Sequence, residues 1–117
     1  MRNAKRIRTL EDIYHLAENK YVEVKKSENS FPNDALKSYS AFANTDGGFL
    51  ILGVDEIKDQ EFQVTGVSNP DKIIKELFDS LCNEKKVNFN LIDDDNIELT
   101  SINGKQILII EVPMASY

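Results

Sequence analysis

An unbroken apolar segment, residues 49–54 with the sequence FLILGV, limits the folds open to this chain more than any other feature. The run does not alternate between a buried and an exposed face, which is typical of a strand covered on both sides. It is also far shorter than the ~20 residues that a membrane-spanning helix needs. The sequence therefore predicts the central strand of a sheet with helices packed against it.

The remaining pattern predicts three helices and further strands around this central strand. The helices are expected to begin at caps, which are Thr9 for the first and Asn33 or Asp34 for the second (residues 34–44). The third is expected to begin with a cap in the segment Ser68-Asn-Pro-Asp71. The predicted strands are residues 21–25, 62–65, 87–91, 97–102 and 106–112, with a polar connection at 55–61 and a hairpin turn at Asn103-Gly104. These elements predict an α/β or α+β domain with a mixed sheet, whose central strand is flanked by the strand 21–25 and the C-terminal hairpin.

The length of the chain, 117 residues, fits one domain and is too short for two ordinary ones. Residues 1–8 are interpreted as a basic tail and residues 9–117 as the domain. The chain ends five residues after an apolar strand, which predicts a piece of a longer protein with downstream domains. A single cysteine, Cys82, and the lack of a signal-peptide pattern indicate a soluble, cytoplasmic protein without a membrane partner.

Charge is unevenly distributed along the chain. The net charge is −6, with +1 in residues 1–46 and −7 in residues 47–117. An acidic protein is not a typical nucleic-acid binder, although a local basic face can still attract phosphate over short distances in salt. Four basic residues without an acid among them open the chain, namely Arg2, Lys5, Arg6 and Arg8. They are either part of such a face or a solvated tail.

Glu23 and Lys25 are two residues apart on a predicted strand, so their side chains should leave the same face. A carboxylate beside an ammonium group can hold a divalent cation and a phosphate together. The alternative is an ordinary surface ion pair, which is the commoner fate of a Glu-x-Lys sequence.

Two further segments have chemistry-bearing residues at the ends of predicted elements. Gly47 and Gly48 follow a helix, where their amides could hold phosphate oxygens or simply form a helix C-cap and a tight turn. No lysine followed by serine or threonine comes after these glycines, so the turn is not a P-loop. Asp55 lies at the end of the central strand, a common place for site residues, although it and Glu56 are equally consistent with a plain turn.

Together these segments resemble the Schlafen AlbA_2 domain over about residues 10–112. The resemblance rests on Glu18 with Glu23-Val-Lys25, on the helix end 41–48 (AFANTDGG), and on residues 50–55 (LILGVD). Bacterial members resemble DNA-binding N-terminal modules of transcriptional regulators, also labelled divergent AAA or ATP-binding proteins. In animal Schlafens, a related fold has a divalent-metal site of two glutamates and an aspartate that cleaves structured RNA. The resemblance assigns these acids to Glu18, Glu23 and either Asp55 or Glu56.

The resemblance therefore leaves hypotheses of different classes. In the first, the domain binds nucleic acid, most simply DNA, and specificity comes from downstream domains or a homo-oligomer. The residues expected to contact nucleic acid are Arg2, Lys5, Arg6, Arg8, Lys20, Lys25, Lys26, Asn44, Gly47 and Gly48. In the second, Glu18, Glu23 and Asp55 bind Mg²⁺ or Mn²⁺, and Lys25 stabilises the phosphoryl charge during cleavage. A third is an interaction or oligomerisation domain. The single lobe and the acidic second half favour binding without cleavage.

Overall fold

The computed structural model describes residues 7–18, 21–59, 61–83 and 94–115, which form three α-helices, six strands and a 3₁₀ turn. The elements in chain order are α1 (Leu10–Glu18), β1 (Val22–Lys25), α2 (Ala35–Ala43), β2 (Gly48–Leu52), β3 (Val54–Lys58), β4 (Glu61–Val64), α3 (Pro70–Asn83), the 3₁₀ turn (Asp94–Asn96), β5 (Ile97–Ile102) and β6 (Lys105–Val112). The predicted strand 87–91 lies outside the described residues. The α+β class expected from the sequence is confirmed.

The main sheet has four strands in the order β1-β2-β6-β5. β1 and β2 are parallel, and the other two pairs are antiparallel, so the sheet is mixed as predicted. The apolar strand β2 lies between β1 and the C-terminal hairpin, which confirms its predicted neighbours. Asn103 and Gly104 form the hairpin turn with positive φ angles of 55° and 79°. This is the left-handed geometry that favours Asn-Gly in two-residue hairpins.

The two faces of this sheet are covered by different elements. One hydrophobic cluster joins α2 and α3 to side chains of β2 and β6, including Leu50 and Leu52. The other joins α1 and the β3–β4 hairpin to the opposite face, including Phe49 and Ile51. Because successive residues of a strand point to opposite faces, the apolar run of β2 supplies both clusters. This double burial is the physical reason that the run has no polar residue.

Two predictions about the end of the central strand are wrong. The strand does not run to residue 54, and residues 55–61 are not a plain connection, because β3 and β4 form a separate two-stranded sheet there. Gly53 lies between β2 and β3 with a φ of 104°, a conformation that L side chains rarely adopt. The hairpin is held against α1, where the Phe62 amide donates to the Tyr14 hydroxyl at 2.9 Å and the two rings stack at 4.8 Å.

The helix starts agree only in part with the predicted caps. Thr9 caps α1 in a reciprocal arrangement: the Asp12 amide donates to Thr9 Oγ1 at 3.2 Å, and the Thr9 amide donates to Asp12 Oδ2 at 3.0 Å. For α3 the cap is Asn69, which lies in the predicted entry segment and whose Oδ1 accepts from the Lys72 amide. Asp34 stands at the start of α2 but makes no side-chain cap to that helix.

The cap of α1 should be measurable as a pH-dependent contribution to stability. We expect Thr9→Ala to lower the free energy of unfolding by about 1 kcal/mol, as loss of a hydroxyl cap usually does.

The pKa of Asp12 is held below its usual 3.8, chiefly because its carboxylate accepts the Arg8 amide. Its contribution is therefore present above pH 3.8 and is lost as the pH falls through the lowered pKa. Urea unfolding of the parent and of Asp12→Asn should give free energies that converge on acidification, and a pH-independent difference would contradict this prediction.

Candidate nucleic-acid interface

The carboxyl ends of the parallel strands β1 and β2 meet at one edge of the main sheet. Lys25, the last residue of β1, lies opposite Leu52, the last residue of β2. The Gly53 amide donates to the Lys25 carbonyl at 2.9 Å, and the Gly53 carbonyl accepts the Thr65 and Gly66 amides, both at 2.8 Å. Ligands of open α/β sheets bind in the crevice outside the carboxyl ends of parallel strands. This end of the sheet is therefore a candidate binding site.

Lys25 is the central cation at this end. Its Nζ lies 3.0 Å from Asp34 Oδ2 and 3.7 Å from Glu23 Oε1, and its side chain is 24% exposed. Glu23 and Lys25 thus share a face, as predicted, and form an ion pair. The hydrogen bond from Lys25, together with its positive charge, holds the pKa of Asp34 below its usual value. The Asp34 carboxylate is therefore charged at neutral pH.

The loop after Lys25 is held against α3 by three contacts. They come from Ser68, just before the helix, and from Lys72 and Glu76 within it. Ser68 Oγ donates to the Glu28 carbonyl at 2.6 Å, and Lys72 Nζ donates to the Asn29 carbonyl at 2.8 Å. Further along, Glu76 Oε1 accepts the Phe31 amide at 2.9 Å. Lys72 and Glu76 are four residues apart and therefore lie on one side of α3. Together with Ser68 just before the helix, they hold the loop at three positions before Asp34.

The acids that the resemblance assigns to a metal take different positions around β1. Glu18 ends α1, which packs on the sheet face that carries Phe49 and Ile51. Glu23 lies opposite Leu50, whose side chain belongs to the other face. Asp55 and Glu56 are in β3, beyond the carboxyl end of β2. Among the residues that the structure describes, no three His, Cys, Asp or Glu side chains are grouped so that they could hold a metal ion.

The Gly47-Gly48 turn lies at the opposite end of β2 from Lys25. The Gly47 amide donates to the Phe42 carbonyl at 2.8 Å, and the Asn44 amide donates to the Ser40 carbonyl at 3.0 Å, so the turn caps α2. Gly48 begins β2 and lies against the Phe42 ring. The candidate residues of this turn are therefore separated from Lys25 by the length of the strand, and the Gly47 amide is occupied by the cap.

Of the predicted basic residues, only some lie within the described part of the chain. Arg2, Lys5, Arg6 and Lys20 lie outside it. Arg8 is exposed, and its neighbour Ile7 is 2% exposed and packs in the core, so the folded part of the chain includes residue 7. Lys26 Nζ lies 3.4 Å from Glu28 Oε1, and more than half of each side chain is exposed.

A comparison with protein families gives the identity of the fold. The model of the family described as Schlafen, AlbA_2 matches residues 18–117. The chain belongs to the Schlafen AlbA_2 family. The resemblance drawn from the sequence motifs is confirmed.

The AlbA_2 domain is also similar to a solved structure, the solution NMR structure of the N-terminal domain of a RecG-related protein from Nitrosomonas europaea. The two chains are 26% identical with a TM-score of 0.70, and the match covers 99% of this chain and 76% of the other. No protein with curated function matches the chain. Within the described ranges, no helix of the AlbA_2 domain is long and apolar enough to cross a membrane.

Sequence reasoning missed two features at this end of the AlbA_2 domain. The first is Asp34, which the sequence suggested only as a helix cap. The second is an open groove of about 400 Å³, with Thr65 to Ser68 on one side and Gly104 to Gln106 on the other. Both depend on segments that are distant in sequence, and no local pattern identifies either of them.

Proposed function

We propose that this AlbA_2 domain is a nucleic-acid-binding module of a transcriptional regulator, with DNA as its target. The family and the likeness to a domain of a protein named for its relation to an ATP-dependent DNA helicase support a role connected with nucleic acid. The observation that carries the proposal is the position of Lys25 at the joined carboxyl ends of two parallel strands, with Lys26 next to it.

In this proposal the lysine ammonium groups contact phosphate oxygens of the backbone. Contacts of this kind position a protein on nucleic acid but carry no direct sequence information. The remaining proposed contacts are the basic residues Arg2, Lys5, Arg6, Arg8 and Lys20, the side chain of Asn44 and the turn at Gly47 and Gly48. The last three lie at the other end of β2, so a bound strand would have to extend along β1 to reach both groups.

The charge balance predicts weak binding with little sequence preference. The net charge is −6, and all of the acidic excess lies in residues 47–117, which carry −7. A long polyanion is therefore attracted only locally, while the rest of the surface repels it within the screening distance of the salt. Downstream domains or a second copy of the chain would supply the additional affinity and the specificity.

Substitution of Lys25 tests the proposal directly. We expect Lys25→Ala to weaken binding of a labelled DNA duplex and to reduce the slope of log affinity against log salt by up to ~0.9, the value for one lost phosphate contact. The matched control is Lys75→Ala on α3, because Lys75 also pairs with an aspartate, Asp79, at 2.9 Å. Fluorescence anisotropy across a salt series measures both quantities. Equal effects of the two variants would contradict a specific role of Lys25.

The contribution of the basic segment needs substitution rather than deletion, because Ile7 is buried. A variant with alanine at Arg2, Lys5, Arg6 and Arg8 should flatten the salt slope further if these residues contact phosphate. Tighter binding of a structured RNA than of duplex DNA would overturn the choice of DNA. Cleavage of either probe in Mn²⁺ that disappears in Glu23→Ala would replace binding by metal-dependent nuclease activity.

A further inference from the structure

Lys25 is already occupied by two carboxylates of its own domain. Asp34 lies 3.0 Å and Glu23 lies 3.7 Å from its ammonium nitrogen, so one positive charge is surrounded by two negative ones. A phosphate that approaches Lys25 therefore meets a local net charge of −1 rather than +1. We infer that Asp34 is a built-in competitor for the phosphate contact and sets the affinity of the domain for nucleic acid. This inference rests on the proposed function of Lys25.

The position of Asp34 just before α2 supports a role outside helix capping. Aspartate at the start of a helix usually accepts an amide of the first turn with its side chain. Here the first turn is closed by main-chain groups, since the Ala35 amide donates to the Pro32 carbonyl and the Lys37 amide donates to the Asp34 carbonyl, both at 3.1 Å. The Asp34 carboxylate makes no such cap and instead accepts Lys25. The helix therefore does not need this carboxylate.

Asp34 is held in this position by the supported loop that precedes it. Lys72 and Glu76 of α3 bind the backbone of that loop at Asn29 and Phe31. The Phe31 side chain is buried in the core, so the loop is fixed at its centre. The loop is tethered at Asn29 and Phe31, and α2 begins directly after Asp34, so the backbone of Asp34 is held beside Lys25. A bound phosphate must therefore compete with a carboxylate that lies 3.0 Å from the ammonium nitrogen.

Glu23 is the weaker of the two competitors. Its nearest carboxylate oxygen is 0.7 Å farther from the ammonium nitrogen than that of Asp34, by the distances of 3.7 and 3.0 Å. Removing the charge of Asp34 leaves Lys25 paired with one carboxylate, so the local charge becomes neutral. A phosphate then approaches without the repulsion of one unit charge at short range. The change in Coulomb energy predicts an affinity increase of roughly five- to ten-fold at moderate salt.

The test compares Asp34→Asn with Asp79→Asn. Both substitutions remove one negative charge that pairs with a lysine, at 3.0 and 2.9 Å respectively, but only the first acts on Lys25. We expect Asp34→Asn to tighten binding of the labelled DNA duplex and Asp79→Asn to change it much less. Equal gains would show a general effect of net charge and would overturn the inference. Asp34→Ser is a second neutral variant, and thermal unfolding of each variant checks that the domain remains folded.

A double-mutant cycle separates this inference from the function on which it depends. If Asp34 acts by occupying Lys25, the gain from Asp34→Asn should be much smaller in the Lys25→Ala background, where only the repulsion of the phosphate by the carboxylate is removed. An equal gain in both backgrounds would exclude competition for Lys25. If Lys25→Ala does not weaken binding at all, the proposed role of Lys25 fails. If Lys25→Ala weakens binding but Asp34→Asn gives no gain over Asp79→Asn, the role of Lys25 stands and the role of Asp34 is excluded.

Discussion

Leu50→Ala should lower the free energy of unfolding by about 2–5 kcal/mol, the usual range for a leucine truncated in a packed core. Leu50 is fully buried in the central strand β2, and its side chain belongs to the cluster beneath α2 and α3. Its strand is paired on both sides, with β1 and with β6, so the backbone has little freedom to close the cavity. Urea unfolding followed by circular dichroism measures the loss.

Leu99→Ala is the matched control for this prediction. Leu99 is also in a strand of the main sheet, β5, but it is 45% exposed. Because truncation there removes less buried surface and leaves no enclosed cavity, the expected loss is within about 0.5–1 kcal/mol. Losses of similar size for Leu50→Ala and Leu99→Ala would mean that β2 is not the centre of the core.

Gly48→Ala should destabilise the domain by about 3 kcal/mol, near the upper end of the range for overpacked sites. A Cβ atom at Gly48 would lie 2.5 Å from two carbons of the Phe42 ring and 2.9 Å from the Tyr21 carbonyl oxygen. The ring can move, but the carbonyl is part of the backbone and accepts the Phe49 amide at 2.8 Å. The substitution therefore forces β1 away from β2 at their first hydrogen bond.

Gly104→Ala is the comparison that separates crowding from backbone strain. A Cβ at Gly104 would meet nothing within 4 Å, but the residue has a φ of 79°. Its expected cost is about 1–2 kcal/mol, from the left-handed conformation alone. Adding Phe42→Ala to Gly48→Ala should show a favourable coupling, because the ring clashes only with alanine at residue 48 and its removal relieves that clash. A coupling of zero, measured by urea unfolding of the four variants in the cycle, would show that the ring is not the obstacle.

The family motif combines residues that the fold then separates. The resemblance placed Glu18, Glu23 and Asp55 in one metal site, and it placed Gly48 with Lys25 among the nucleic-acid contacts. A strand of five residues extends by about 13 Å at ~3.3 Å per residue, so residues at the two ends of β2 cannot contact the same metal ion or the same phosphate group. Lys25 lies at the edge of the sheet where β1 and β2 both end, whereas Gly48 lies at the opposite end of β2.

Local sequence patterns predicted secondary structure correctly where periodicity or turn chemistry alone determines it. The apolar run predicted a central strand, and Thr9 and the Asn103-Gly104 turn predicted a helix start and a hairpin, because side-chain direction and allowed φ angles follow from neighbouring residues. Gly53 shows the limit of that reasoning. A glycine in an apolar run is compatible with a continuing strand, and only its hydrogen bonds to Lys25, Thr65 and Gly66 end β2 there.

The sequence by itself determined the family, the α+β class and the doubly covered central strand of this protein, since these follow from spacing and from the burial of apolar residues. Only the tertiary structure decided what surrounds Lys25. Asp34 is nine residues farther along the chain, and a local rule assigns its carboxylate to α2. The loop fastened to α3 by Lys72 and Glu76 turns that carboxylate toward β1 instead. A contact between two elements depends on the path of the chain between them, which periodicity along one element does not encode.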